Sequence, residues 1–343
     1  MLAWEPPAHW QRITTIDAHA AGEPLRVICS GFPLPPGVTI LERREAARRQ
    51  FDHLRRSLMW EPRGHSDMYG CLLTPPATED GDFGVLFLHN EGFSTMCGHG
   101  IIGLVTVGLE CGLFTLPQGR AELRIDTPAG RVLATPQLQD GRVAAVRFRN
   151  VPSFVWRQDL RVDVPGLGEI HCDIAFGGAF YALVDVAQTG LALEPQQADA
   201  LIAAGMAIKR ALMATQPVRH PSGDPALNFL YGTIFTQPCP ADSGLHSRNA
   251  CVFAEGELDR SPTGTGVSAR AALLHARGRL AVGETLQIAS LIGTRFAVRV
   301  LERAQVGPLP AVIPEVTGSA RITGMHTFLI DPEDPLREGF LLR

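Results

Sequence analysis

The chain has 343 residues, 45% of them hydrophobic and 19% charged, with a net charge of −4. Its length fits two domains of ordinary size, and its composition excludes a disordered chain, a collagen-like repeat and a coiled coil. The acidic balance argues against a nucleic-acid partner, and with no run of 18 or more apolar residues neither a membrane span nor a membrane partner is expected.

In chain order, residues 1–11 read as a loose leader without the basic and apolar regions of a secretory signal. Thirty-five Gly and 26 Pro punctuate short apolar runs at 14–17, 85–89, 143–148, 180–186, 232–236 and 296–301, which predicts a β-rich chain with few helices. A first helix is expected over 41–59, opened by the capping-box pattern Thr39-Ile40-Leu41-Glu42. Its arginines (43, 44, 48, 49, 55 and 56) alternate with acids, so a solvated face with internal ion pairs is expected. Another helix is expected over 195–215, with Pro195 in its first turn.

Two further helices share a pattern. One follows Met96-Cys97-Gly98-His99-Gly100 and runs over 101–110 to a stop at Gly112; the other follows Thr263-Gly264-Thr265-Gly266 and runs over 267–275 to a stop near Gly278. Each comes after a β-like run, at 83–88 and 250–254. Cys97 and Thr263 stand 166 positions apart, close to half the chain. The pattern predicts one strand–turn–helix unit used twice, each helix apolar on most faces and therefore buried. The Pro- and Gly-rich passage 163–168 marks the boundary between halves 1–162 and 163–343, with the last strand free to return to the first half. The tail after Pro332 reads as charged and peripheral.

Seven cysteines (29, 71, 97, 111, 172, 239 and 251), odd in number and widely spaced, argue for a reduced, cytoplasmic protein. Cys97 is the one placed for chemistry. A helix N-terminus presents unpaired N–H groups and partial positive charge, which favour a thiolate and cradle a small anion such as a carboxylate. The Thr263-Gly264-Thr265-Gly266 turn offers a second cradle, and Asp259 a partner for an ammonium or imino nitrogen. Together these groups match the two ends of an amino acid. Three other readings are weaker. Gly264-Thr265-Gly266-Val267-Ser268-Ala269 fits a dinucleotide fingerprint but lacks a doubly wound context. His65, His89 and His99 show no metal-ligand spacing. A Cys97/His99 hydrolase pair is disfavoured because residues two apart at a helix start are expected to point in different directions.

The stretches Asp17-Ala18-His19-Ala20-Ala21-Gly22-Glu23-Pro24-Leu25-Arg26-Val27, Glu61-Pro62-Arg63-Gly64-His65-Ser66-Asp67-Met68-Tyr69-Gly70, Met96-Cys97-Gly98-His99-Gly100, Gly177-Gly178-Ala179-Phe180-Tyr181 and Asp259-Arg260-Ser261-Pro262-Thr263-Gly264-Thr265-Gly266 resemble the proline racemase family. The resemblance spans nearly the whole chain. It implies an α+β fold of the diaminopimelate-epimerase type: two similar domains, each a curved β-sheet around a central helix, with a cofactor-independent active site in the cleft between them. Family members are often dimers, so a homodimer is the assembly it implies.

Racemases and 4-hydroxyproline epimerases of the family carry Cys at both motif positions. Here the second is Thr263, whose hydroxyl is too weak an acid or base to replace a thiol. The resemblance therefore points to the branch that dehydrates trans-3-hydroxy-L-proline to Δ1-pyrroline-2-carboxylate. In that reading Cys97 removes the α-proton, N–H groups at Gly98, His99, Gly264 and Thr265 hold the carboxylate, Asp259 binds the ring nitrogen, and Thr263 bonds the substrate. The alternatives are a 4-hydroxyproline epimerase with an unidentified second base and a non-catalytic binder of proline-like ligands.

Overall fold

The structure, a computed structural model, describes residues 4–342; the start of the expected leader lies outside them. The first half contains nine strands: β1 (Gln11–Ala20), β2 (Glu23–Ser30), β3 (Tyr69–Thr74), β4 (Phe83–His89), β5 (Phe93–Ser94), β6 (Leu123–Thr127), β7 (Gly130–Gln139), β8 (Arg142–Arg149) and β9 (Ser153–Val164). The second contains another nine: β10 (Gly168–Phe176), β11 (Phe180–Asp185), β12 (Leu230–Pro238), β13 (Ser247–Phe253), β14 (Glu257–Leu258), β15 (Thr285–Ala289), β16 (Arg295–Val306), β17 (Leu309–Gly318) and β18 (Ala320–Ile330). The helices are α1 (Ile40–Gln50), α2 (Asp52–Met59), α3 (Gly98–Glu110), α4 (Ala198–Thr215) and α5 (Gly264–Ala276).

The strand pairings repeat. β1–β2 and β10–β11 are antiparallel, β2–β3 and β11–β12 parallel, and β3–β4 and β12–β13 antiparallel. β4 pairs in parallel with β6 as β13 does with β15, and the antiparallel runs β6–β7–β8 and β15–β16–β17 follow. The last strand of each half crosses over: β9 pairs with β10, and β18 pairs with β1. β17 then bonds both β8 and β9, which closes an eight-stranded ring in the second half. A closed ring leaves no free sheet edge.

Each half wraps its sheet around one helix. α3 packs against β1, β2, β8 and β18, and is buried from Gly98 to Gly108; α5 packs against β9, β10, β16 and β17, and is buried from Gly264 to Leu274. This accounts for the two helices that read as apolar on most faces: inside a barrel no side of the helix meets water. The setting of the second Gly-x-Gly turn, in a largely antiparallel closed ring, is not the doubly wound sheet that a dinucleotide fingerprint requires.

Two local expectations are corrected. The capping box forms, with Thr39 Oγ1 accepting from Glu42 N–H at 3.1 Å and Glu42 Oε2 accepting from Thr39 N–H at 3.1 Å. However, the 41–59 segment is two helices, broken at Phe51, whose ring packs edge-on against Phe32 at 6.0 Å. The arginine run is also not one solvated face. Arg48 and Arg49 do pair with Glu45 in solvent, but Arg55 is buried and bonds the carbonyls of His89 (2.9 Å) and Asn90, while Arg44 bonds that of Phe93 at 2.8 Å. These two side chains fix the β4–β5 turn that leads into Cys97. The charged tail is tied down as well: Phe340 and Glu61 exchange backbone hydrogen bonds of 2.9 and 3.1 Å.

Much of the motif sequence in the first half is structural. Arg26 makes a two-pronged bond to Asp17 (3.0 and 2.8 Å) and donates to the carbonyls of Leu58 and Arg63 at 2.5 and 2.7 Å. Other motif residues join the halves. Arg260 donates to Asp67 at 2.5 Å, its N–H bonds Glu23 at 2.7 Å, and Thr294 Oγ1 donates to the carbonyl of Ala21 at 2.6 Å.

Candidate active site

The N-termini of α3 and α5 abut. A Cβ added at Gly98 would lie 2.5 Å from Gly264 Cα, and one added at Gly264 would lie 2.6 Å from Gly98 Cα. Only glycine lets two backbones approach this closely. Phe148 lies beneath both residues. The two positive helix ends therefore converge on one point, which a single carboxylate can share.

A small, partly open cavity lies there. Its wall brings together Cys97, Gly98, His99, Asp259, Thr263, Gly264 and Thr265, every residue that sequence reasoning singled out. Cys97 is the N-cap of α3, and its sulfur accepts from Gly100 N–H at 3.2 Å. On the opposite side, Thr263 donates its hydroxyl to Asp259 Oδ2 at 2.8 Å. Ser261 N–H bonds the other Asp259 oxygen at 2.7 Å, and Thr263 N–H bonds Ser261 Oγ at 3.0 Å. This web holds Thr263 at φ +68°, a conformation that β-branched residues rarely adopt.

Two expectations about the thiol change. His99 does not point away: its ring folds back to place Nδ1 3.3 Å and Nε2 3.5 Å from Cys97 Sγ. The sulfur is nearly equidistant from the two nitrogens and so lies on the lone-pair axis of neither. Burial lowers the His99 pKa to about 4, outweighing the Asp259 charge and the Pro24 carbonyl that favour the protonated ring. His99 is thus neutral and too weakly basic to hold the thiol proton. Cys97 itself is not acidified. Burial pushes its thiol up, and the charges of Asp259 and Glu23 add to this, outweighing the Gly100 N–H and the Tyr69 hydroxyl that favour a thiolate.

Sequence reasoning missed the rest of the wall: Tyr69, Met96, Tyr181, Tyr231 and Phe253. One signal was present, since the chain has only three tyrosines and all three line this cavity. Behind the wall, Glu23 is fully buried and its carboxyl is raised well above the usual range by burial and by Asp259. Among the described residues no group of three or more His, Cys, Asp or Glu is placed to hold a metal ion.

Comparison with known proteins bears on this site. The proline racemase family model matches residues 15–341. A protein of Colwellia psychrerythraea named trans-3-hydroxy-L-proline dehydratase is 45% identical over 99% of this chain and 96% of its own. One of Burkholderia multivorans named 3-hydroxyproline 2-epimerase is 46% identical over 96% of this chain and 98% of its own. A crystal structure of a hydroxyproline epimerase from Agrobacterium vitis with bound trans-4-hydroxy-L-proline superposes with a TM-score of 0.92 at 34% identity, covering 98% of this chain and 96% of that one. With this fold, and with the family model spanning nearly its whole length, the chain belongs to the proline racemase family.

Proposed function

We propose that this protein is a hydro-lyase that converts trans-3-hydroxy-L-proline to Δ1-pyrroline-2-carboxylate without a cofactor. The observation that carries the reading is the asymmetry of the cavity. It presents one thiol, Cys97, while the opposite position holds a threonine whose hydroxyl is spent on Asp259. One thiol can remove an α-proton, but inversion needs a second group to deliver one from the other face. The dehydratase names of relatives near 45% identity support the same reading.

The substrate carboxylate lies between the two helix ends, facing the N–H groups of Gly98, His99, Gly264 and Thr265. Its ring ammonium faces Asp259 and offsets one of the charges that, with burial, raise the Cys97 pKa, which eases thiolate formation as substrate binds. The thiolate takes the Cα proton, and charge spreads into the carboxylate. Donors already aimed at a developing charge contribute about 3 kcal/mol each. The C3–O bond breaks, water leaves, and the enamine tautomerises to the imine. Seven free thiols support a reducing, cytoplasmic setting, and among the described residues no helix is long and apolar enough to cross a membrane.

One observation favours epimerisation of the 3-hydroxy substrate, the name of the Burkholderia multivorans relative. Cys251, the nearest thiol on the Thr263 side, lies behind the wall and does not line the cavity. The test is proton NMR in D2O with trans-3-hydroxy-L-proline, and with trans-4-hydroxy-L-proline in parallel. Pyrroline-2-carboxylate from the first and no change in the second is the expected result. A D-epimer from either overturns the one-thiol argument. Cys97→Ser should bind substrate by calorimetry yet lose at least about 10³-fold in turnover, as expected when the group that attacks the proton is lost.

A further inference from the structure

Dehydration leaves one proton to be supplied. Hydroxide is a poor leaving group, so the C3 oxygen must be protonated as its bond breaks. Five hydroxyls stand on the cavity wall, and four are engaged. Tyr69 Oη is 2.5 Å from Ser94 Oγ, Tyr181 Oη is 2.7 Å from Thr265 Oγ1, and Thr263 donates to Asp259. The fifth, Tyr231 Oη, makes no well-formed hydrogen bond although its residue is only 7% exposed, and its interaction with the Tyr69 hydroxyl is a loose one. Buried hydroxyls are almost always paired, so its persistence on a cavity wall points to a partner that arrives with the ligand.

Packing aims it. The Tyr231 ring is wedged among Phe253 (5.3 Å), Tyr181 (5.9 Å) and His89 (5.9 Å), near the start of β12. The Tyr69 hydroxyl is close enough to interact with both the Cys97 thiol and the Tyr231 hydroxyl. Burial and the nearby Glu257 carboxylate keep Tyr231 a phenol, the form that donates.

On the dehydratase reading, we propose that Tyr231 protonates the departing C3 hydroxyl and that Tyr69 carries the abstracted α-proton from Cys97 back to Tyr231. The balance closes. The Cα–H bond breaks, its proton goes to Sγ, and its electron pair forms the C2=C3 bond. The C3–O pair leaves with the Tyr231 proton as water. The Tyr231 phenolate then takes the Tyr69 proton as Tyr69 takes the one on Sγ, which restores the thiolate. No acid or base is required on the Thr263 side, so one thiol suffices.

The test compares Tyr231→Phe with wild type on trans-3-hydroxy-L-proline and trans-3-fluoro-L-proline in D2O. Fluoride leaves with far less need of a proton. The expected result is a loss of about 10²–10⁴ in pyrroline formation from the hydroxy substrate, with fluoride release held within about tenfold of wild type and deuterium appearing at Cα of recovered hydroxyproline. Equal losses on both substrates would make Tyr231 a packing residue, and wild-type dehydration would remove it from the reaction; either overturns the proposal. Tyr69→Phe should give a burst of one product per site followed by slow turnover, and a steady rate without a burst overturns the return path. A wild type that eliminates from neither substrate overturns the dehydratase reading itself, and the relay with it.

Discussion

The contact between Gly98 and Gly264 gives the sharpest test of how the carboxylate cradle is built. In Gly98→Ala the new methyl would sit 2.5 Å from Gly264 Cα and 3.1 Å from Phe148 Cζ, whereas ordinary contacts begin at 3.4 Å. The obstruction on the α5 side is backbone, so no rotamer change relieves it, and the two helix ends must part by about 0.9 Å. Overpacking of this kind costs about 1–3 kcal/mol, set against at most about 1 kcal/mol gained from the better helix propensity of alanine. Stability should therefore fall by about 1–2 kcal/mol, read as a shift in the urea midpoint. Activity should suffer more, because a displacement near 1 Å at a reacting centre costs about 10²-fold. The assay is kcat/KM for trans-3-hydroxy-L-proline in Gly98→Ala and in Gly264→Ala, which meets the same contact from the other side at 2.6 Å. The two variants should match within a few-fold. Wild-type kcat/KM in either would refute the claim that both termini hold one carboxylate.

Two further outcomes follow from burial. The free enzyme's thiol is raised, and only the thiolate is active, so kcat/KM should climb with pH and reach half its limit above the ordinary thiol value of about 8.5. The limb in kcat should lie at lower pH because bound ammonium neutralises Asp259, and His99, held near 4, should add no inflection around pH 6.5; a kcat/KM limb centred on pH 7 would contradict this electrostatic account. Arg55→Ala should cost about 2–4 kcal/mol in urea unfolding by stranding the carbonyls of His89 and Asn90 and the partner Asp52, whereas a loss under about 0.5 kcal/mol would return the arginine run to the solvated face that its pattern suggested.

The sequence by itself determined what is local. The capping box opened α1 because Thr39 and Glu42 need only each other. The small, apolar segments after Cys97 and Thr263 became buried helices because no face of either is polar enough for solvent. The site residues were legible because helix ends advertise themselves through glycines and the residue that caps them, and the long motifs brought the family resemblance with them. Tertiary structure decided what depends on distant neighbours. The thiol at a helix N-terminus looked acidic from its own turn, yet burial and two carboxylates, 74 positions upstream and 162 downstream, set the opposite direction. Arg44 and Arg55 turned inward because a strand turn more than thirty residues away offered carbonyls. His99 met Cys97 with its ring packed edge-on against that of Tyr69 on β3, 4.7 Å away. The three tyrosines converge from β3, β11 and β12, elements that share no sequence pattern. Helix capping and amphipathicity act within a few residues and leave a signature in the chain, whereas desolvation and cavity shape arise only once the two halves close on each other.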